Sequence, residues 1–269
     1  MHRTLFTPAM VETFRTCKKA YAAAYVRFTT GSNNRSLAGS CRRFLLRALS
    51  EVHKSKLTTV QQVQKYVGQE WPLDRAIDNS SQKEICTRAF LFALKTLTRY
   101  VGRPYSPPGS EVASVALRVR ARVAHVRVYL EDTIDLVLWY PNERRLELVN
   151  FQTQAVKPMN PAWPSASTLI KAYLGERLKI RWPYEKLTIT NFRVGAQDSS
   201  VSSIQLDEAI YRVHWEEMLK TLEEMKEPVA HDAECSSGSD SLCRYCAAMK
   251  SSSVSQTAVA ALPPTALSA

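Results

Sequence analysis

Over the first hundred positions apolar residues recur every three to five places; after that the pattern changes to alternation. Thr7-Pro8 reads as a helix cap followed by proline at the first helical position. Met10, Phe14, Cys17 and Tyr21 then share one face of a helix predicted to run towards Tyr25, and the stretch Gly31 to Asn34 ends it. A second helix is predicted over Leu37 to Val52, with Leu45, Leu46 and Leu49 apolar and Arg42, Arg43 and Arg47 polar. A shorter one follows near Val60 to Tyr66. A long one covers about Gln82 to Tyr100 through Ile85, Phe90, Leu94 and Leu97. Pro104, Pro107, Pro108 and Gly109 break that pattern.

Beyond the break, Val115, Leu117, Val119, Ala121 and Val123 alternate with Arg118, Arg120 and Arg122, as in a half-buried strand with three guanidinium groups on one side. Strands over Val126 to Leu130, Ile134 to Tyr140 and Leu146 to Phe151 complete a predicted meander, the last two joined by a Pro-Asn-Glu turn. A loop containing Pro158, Pro161 and Pro164 leads to a helix capped by Ser165 or Ser167 and running through Leu169, Tyr173 and Leu178. A strand at Lys186 to Val194 and a helix from about Asp207 to Lys226 follow. The order predicts an α/β protein, a central mixed sheet flanked by helices with a helical N-terminal elaboration. A single domain is expected over residues 1–248: a helical part at about 8–103, a sheet core at about 110–226 and a cysteine-containing segment at 231–248. The Ser-, Ala-, Thr- and Pro-rich residues 249–269 are expected to be a disordered tail.

Composition narrows the partners. A chain of 269 residues with 45% hydrophobic positions can bury a substantial core. A net charge of +11 favours a polyanionic partner over a merely solvated basic surface. No apolar run approaches the ~18 residues of a membrane span, and the first residues lack the apolar stretch of a signal peptide. Six cysteines without a secretory signal point to reduced thiols or a metal site, and a cytoplasmic location is expected.

Three groupings carry candidate chemistry. The hairpin holds a carboxylate, Asp135, on its first strand and two amides, Asn150 and Gln152, on one face of its second. Cys243 and Cys246 have the spacing of two thiolates sharing one centre, with Cys235 eight positions earlier, Cys17 remote in sequence and His231 a possible substitute ligand. Cys41 and Cys86 fall on apolar helix faces and are expected in the core. Arg118, Arg120 and Arg122, with Lys18, Lys19, Arg42, Arg43 and Arg47, could grip phosphates in a salt-sensitive manner. Trp163 and Trp182 could stack on bases, although packing in the core is the plainer expectation.

Four of these features, in this order, resemble the RecB-type branch of the PD-(D/E)XK nuclease superfamily, the branch that includes CRISPR-adaptation nucleases. They are the Phe6-Thr7-Pro8…Phe14…Cys17…Tyr21 opening helix, Gly39-Ser-Cys-Arg-Arg43 where the family has a G-x-x-x-H element, the Asp135/Asn150/Gln152 hairpin, and the C-terminal cysteines. The resemblance implies a 4Fe-4S cluster, or zinc in its place, held by Cys17, Cys235, Cys243 and Cys246. In active members the hairpin carboxylates bind Mg²⁺ or Mn²⁺ and a lysine stabilises charge. Here Asn150 and Gln152 replace an acid and that lysine, Arg43 stands where a metal-side histidine would, and Leu169 replaces a glutamine four residues before the retained Tyr173. The resemblance therefore implies a degenerate nuclease that binds DNA, a helicase or nuclease subunit, or both, in repair, recombination or defence. An active enzyme with a rearranged site, using Glu131 or Asp132 as the missing carboxylate, and a protein-interaction module without DNA binding stay open as alternatives.

Overall fold

Helices begin where the sequence supplies an oxygen to cap them. Thr7 Oγ1 accepts the Met10 N–H at the start of α1 (Pro8–Thr16). Thr59 and Gln62 form a reciprocal capping box at α4 (Val60–Glu70). Ser165 opens α6 (Ala166–Glu176), and Asp207 opens α7 (Glu208–Glu224). The remaining helices are α2 (Lys18–Tyr21), α3 (Leu37–His53) and α5 (Ser80–Gly102). This is a computed structural model, and it describes residues 5–26, 37–71, 80–153, 159–160 and 162–227.

The opening helix is not continuous to Tyr25, as its periodicity predicts. Cys17 adopts an extended conformation; its N–H closes α1 on the Thr13 carbonyl while its Sγ accepts the Ala20 N–H and caps α2. A π-helical turn over Ala22–Val26 follows. The break keeps the facing residues in contact, since the Phe14 and Tyr21 rings still meet at 5.2 Å. Period alone does not reveal it.

Six strands form one mixed sheet: β1 (Leu5–Phe6), β2 (Glu111–Val123), β3 (Val128–Tyr140), β4 (Arg145–Gln152), β5 (Lys186–Val194) and β6 (Ser199–Ile204). The meander of β2, β3 and β4 is antiparallel, β5 runs parallel to β4, and β6 returns antiparallel at the edge. The two predicted strands at 126–130 and 134–140 are one strand, because the polar residues between them continue the ladder with β2. β1 is too short, and β6 too rich in serine, to give an apolar signal; only Ile204 of β6 is buried.

Each face of the sheet carries its own core. Leu130, Ile134, Leu146 and Leu148 pack with Phe6, Met10 and Phe14 of the N-terminal segment, Leu169, Ile170 and Leu174 of α6, and Met218 and Leu222 of α7. Leu136, Leu138, Val149, Phe151 and Phe192 pack on the other side with Leu45 and Leu49 of α3, Val63 and Val67 of α4, and Leu97 and Tyr100 of α5. Burying each such side chain contributes about 1.5–3 kcal/mol before entropy is counted. Cys86 is buried as expected, while Cys41 is only half-buried. Residues 154–158, Pro161 and the 249–269 tail lie outside the described residues.

Candidate functional site: a cleft where two strands part

β2 pairs β3 along one side from Val128 to Trp139 except at Asp135, but the other side of β3 is shared. β1 takes Tyr129 and Leu130, and β4 takes Leu136 to Tyr140. Between them, residues 131–135 have no strand partner on that side among the described residues. β4 leaves β3 at this point to follow β5, where Asn150, Phe151 and Gln152 oppose Asn191, Phe192 and Arg193. Asp135 spans the parting: its Oδ2 accepts the Phe151 N–H at 2.8 Å, a side chain replacing a backbone partner.

The alternation of β3 slips at the same place. Ile134 and Val137 both belong to the α6-side core, while Leu136 and Leu138 belong to the other. Across the ladder, Ala116 lies between the pairs Val115–Leu136 and Leu117–Ile134 and has a φ of +51°, a left-handed conformation that an alanine rarely adopts. Such irregularity redirects side chains where regular pleating would bury them.

A cleft of about 450 Å³ opens here, lined by Asp132, Thr133 and Asp135 of β3, Asn150 and Gln152 of β4, Ser167, Thr168 and Lys171 of α6, and Arg42, Arg43 and Arg47 of α3. Five predicted site residues (Asp135, Asn150, Gln152, Arg42 and Arg43) thus meet in one place. Desolvation pushes the Asp135 carboxyl up to about 6, against the opposing pull of the Phe151 N–H and Lys171. Asn150 donates through Nδ2 to Asn191 Oδ1 at 3.1 Å, and Arg43 donates to Ser40 Oγ at 3.0 Å.

Lys171 is the residue that motif reading missed. Its Nζ sits 2.5 Å from Asp132 Oδ2 and 3.0 Å from Ser167 Oγ, with the lysine side chain 6% and the aspartate side chain 17% exposed. The contact with Asp132 is ionic and lacks hydrogen-bond alignment. The available signal was Ser167 and Lys171 four apart in an otherwise apolar helix, which puts both on one face. Glu131, the other candidate carboxylate, instead pairs with Arg118 at 2.7 Å outside the cleft.

Tyr173 does not join the cleft. Two positions beyond Lys171, it points elsewhere on the helix: its hydroxyl donates to the Arg122 carbonyl at 2.7 Å and its ring stacks on Trp215 at 4.5 Å. Leu169 is core, 1% exposed. Trp182 is partly buried beside the α6-side core. Trp163 is 74% exposed, against the expectation of packing.

Side chains of Arg118, Arg120 and Arg122 do emerge on one side of β2, between buried Val119, Ala121 and Val123. Two are engaged: Arg118 with Glu131, and Arg120 over the Tyr129 ring at 4.3 Å. Lys18 pairs with Glu224 at 2.9 Å, Lys19 is half-buried, and Arg47 pairs with Glu70 at 3.0 Å.

For metals, the residues divide. Among the described residues no three His, Cys, Asp or Glu side chains converge as ligands. The cleft offers two carboxylates, one matched by an ammonium, beside three neutral amides and three arginines. That donor set fits an anion better than Mg²⁺ or Mn²⁺. Cys17 is fully buried at the N-terminus of α2, an environment compatible with a thiolate ligand. Cys235, Cys243, Cys246 and His231 lie outside the described residues.

No protein-family model matches the chain, and no curated protein does. Among solved structures, the crystal structure of a "putative exonuclease" from Eubacterium rectale is similar at 10% identity, covering 91% of this chain and 87% of that one, with a TM-score of 0.46. A likeness of that size supports no assignment of family or function. No helix among the described residues is long and apolar enough to cross a membrane.

Proposed function

We propose that this chain is a nuclease-like domain that binds DNA through its phosphates without hydrolysing it, beside an active nuclease or helicase subunit in repair, recombination or defence. One observation carries the reading: the cleft at Asp135 holds an anion-binding set rather than a cation-binding one. Asp132 is matched by Lys171, Asp135 is spent on the Phe151 N–H, Asn150 is tied to Asn191, and Arg42 and Arg43 line the opening. Guanidinium groups suit phosphate, and each phosphate neutralised adds to the salt dependence of binding. The motif resemblance supplies the nuclease-like part of the proposal.

The experiment is electrophoretic: purified chain with single- and double-stranded oligonucleotides in Mg²⁺ or Mn²⁺. Retarded, uncleaved DNA that is released by salt is the expected result. No binding at low salt would instead favour a protein-interaction module.

A second reading is favoured by the buried Asp132–Lys171 pair, which brings an acid and an ammonium to the same cleft. It is an active deoxyribonuclease with a rearranged site. Cleavage lost in both Asp132→Asn and Lys171→Met would replace the first reading with this one.

The cysteine centre remains part of the proposal. Lys18, next to Cys17, is paired with Glu224 in the last turn of α7, eleven positions before Cys235 in the sequence. A cluster or zinc held by the four cysteines would tie those ends together. Iron and sulfide, or one zinc, in anaerobically purified protein and its loss in Cys17→Ser is the measurement.

A further inference from the structure

A second cavity, sharing no lining residue with the cleft, lies on the face of the sheet covered by α5. It measures about 510 Å³, within the range that holds a small organic ligand. Thr96 and Arg99 enter it from the last two turns of α5, three positions apart and so on one face, and Arg103 follows just past the end of the helix. Tyr105 and Phe192 supply aromatic surface, their ring centroids 4.6 Å apart, and the Gly195 turn closes the far edge.

Two features of this cavity are unexplained by folding. Arg99 and Arg103 are exposed and make no side-chain hydrogen bond or ion pair with any described residue. Thr96 is 1% exposed, and its Oγ1 has no hydrogen-bond partner among the described residues. Four other helical threonines, Thr13, Thr16, Thr87 and Thr221, satisfy that hydroxyl by bonding back one turn. Leaving it unmet costs stability, so a partner from outside the chain is the natural complement.

We propose that this cavity is a binding site for a nucleoside phosphate. Its phosphate meets Arg99 and Arg103, its planar ring lies against Tyr105 and Phe192, and a polar atom of the ligand engages Thr96. Arginine pairs recognise phosphate oxygens through several parallel donors, and aromatic faces accept any base. A free nucleotide and a nucleotide within a DNA strand present the same chemistry, and the assay separates them. The site is independent of the cleft, so the fate of one reading does not decide the other.

The test is calorimetric titration of the full chain with dAMP, deoxyadenosine, inorganic phosphate and a 5′-phosphorylated short oligo(dA). Oligo(dA) is measured in an Arg42→Met/Arg43→Met background to silence the cleft. One dAMP per chain is expected, with deoxyadenosine and phosphate each at least tenfold weaker. Arg99→Met/Arg103→Met should weaken dAMP binding by tenfold or more, and the near-isosteric Thr96→Val by several-fold. Both arginines are exposed, so an unchanged melting temperature shows that their variant still folds. Tighter binding of oligo(dA) than of dAMP, with the same sensitivity to the arginines, identifies a strand as the source; dAMP at least as tight identifies the free nucleotide. Failure of both dAMP and oligo(dA) to bind, or binding indifferent to Arg99 and Arg103, overturns the proposal.

Discussion

Asp135 and Lys171 show how burial sets the behaviour of single residues in the cleft. The Asp135 carboxyl has a folded pKa near 6 against an ordinary 3.8, so it is a group raised on folding. Its contribution is fully favourable below about pH 4 and is lost as pH rises through 6; above that, keeping it ionised costs up to about 3 kcal/mol. Asp135→Asn, whose carbonyl can still accept the Phe151 N–H, should therefore be more stable than the native protein at pH 7 and no more stable at pH 4. His53 runs the opposite way. Its ring, stacked on Phe151 and hydrogen-bonded to Tyr100, is held by burial near 4, so it removes stability as pH falls from 6.5 towards 4. The two slopes offset each other in the native chain, and urea denaturation of Asp135→Asn should reveal the His53 loss alone. Lys171→Met leaves Asp132 enclosed without its counter-charge and should cost about 3–5 kcal/mol, part of which Asp132→Asn in the same chain restores. Equal urea midpoints for Lys171→Met and the native protein would mean that the ion pair is not maintained in solution.

Among the elements, the hairpin of β3 and β4 is stabilised on its second face by a buried carboxylate. Glu147 is 2% exposed and accepts hydrogen bonds from Tyr105 at 2.9 Å, Tyr140 at 2.6 Å and Thr190 at 2.6 Å, with Arg145 over the Tyr140 ring. Burial and the adjacent carboxylate push the Tyr140 hydroxyl up to about 12, so it stays a donor. Tyr105→Phe and Thr190→Val should each cost about 1.5–3 kcal/mol, the scale of a hydrogen bond to a charged group. Because both donate to Glu147 Oε1, each single variant leaves that oxygen one donor and the double variant leaves it neither, so the double should cost more than the sum, as measured by denaturant midpoints. Alternation along β4 puts Glu147 and Asn150 on opposite faces, as it puts Arg118, Arg120 and Arg122 on one side of β2. It could not show that the faces of β3 exchange at Asp135, where Ala116 across the ladder has a left-handed backbone. The interruption of the first helix at Cys17 escaped for a similar reason: a sulfur that caps the next turn leaves the apolar spacing unchanged.

For the molecule as a whole, the positive charge is unevenly available. Arg118 and Arg120 are occupied by Glu131 and Tyr129, whereas Arg42 and Arg43 line the cleft without a carboxylate partner among the described residues. If the cleft holds DNA, Arg42→Ala/Arg43→Ala should reduce the slope of log affinity against log salt by up to about two phosphates' worth. Replacing Arg118, Arg120 and Arg122 together should reduce it less. The reverse ranking in filter-binding titrations would move the nucleic-acid surface to β2.

Local pattern determined the helices from Leu37 to Tyr100, the meander, the parallel strand after α6 and the last helix, because period, caps and turn residues are properties of neighbours in the chain. It also determined that Asp135 lies on one strand of the hairpin and Asn150 and Gln152 on the other. Tertiary structure decided what surrounds them. Lys171 turns inward to Asp132 while Tyr173, two residues on, turns outward to Arg122, and α3 delivers Arg42 and Arg43 to the same opening. Those are distances between elements remote in sequence, fixed by the packing of two cores on opposite faces of one sheet, and no spacing along the chain encodes them.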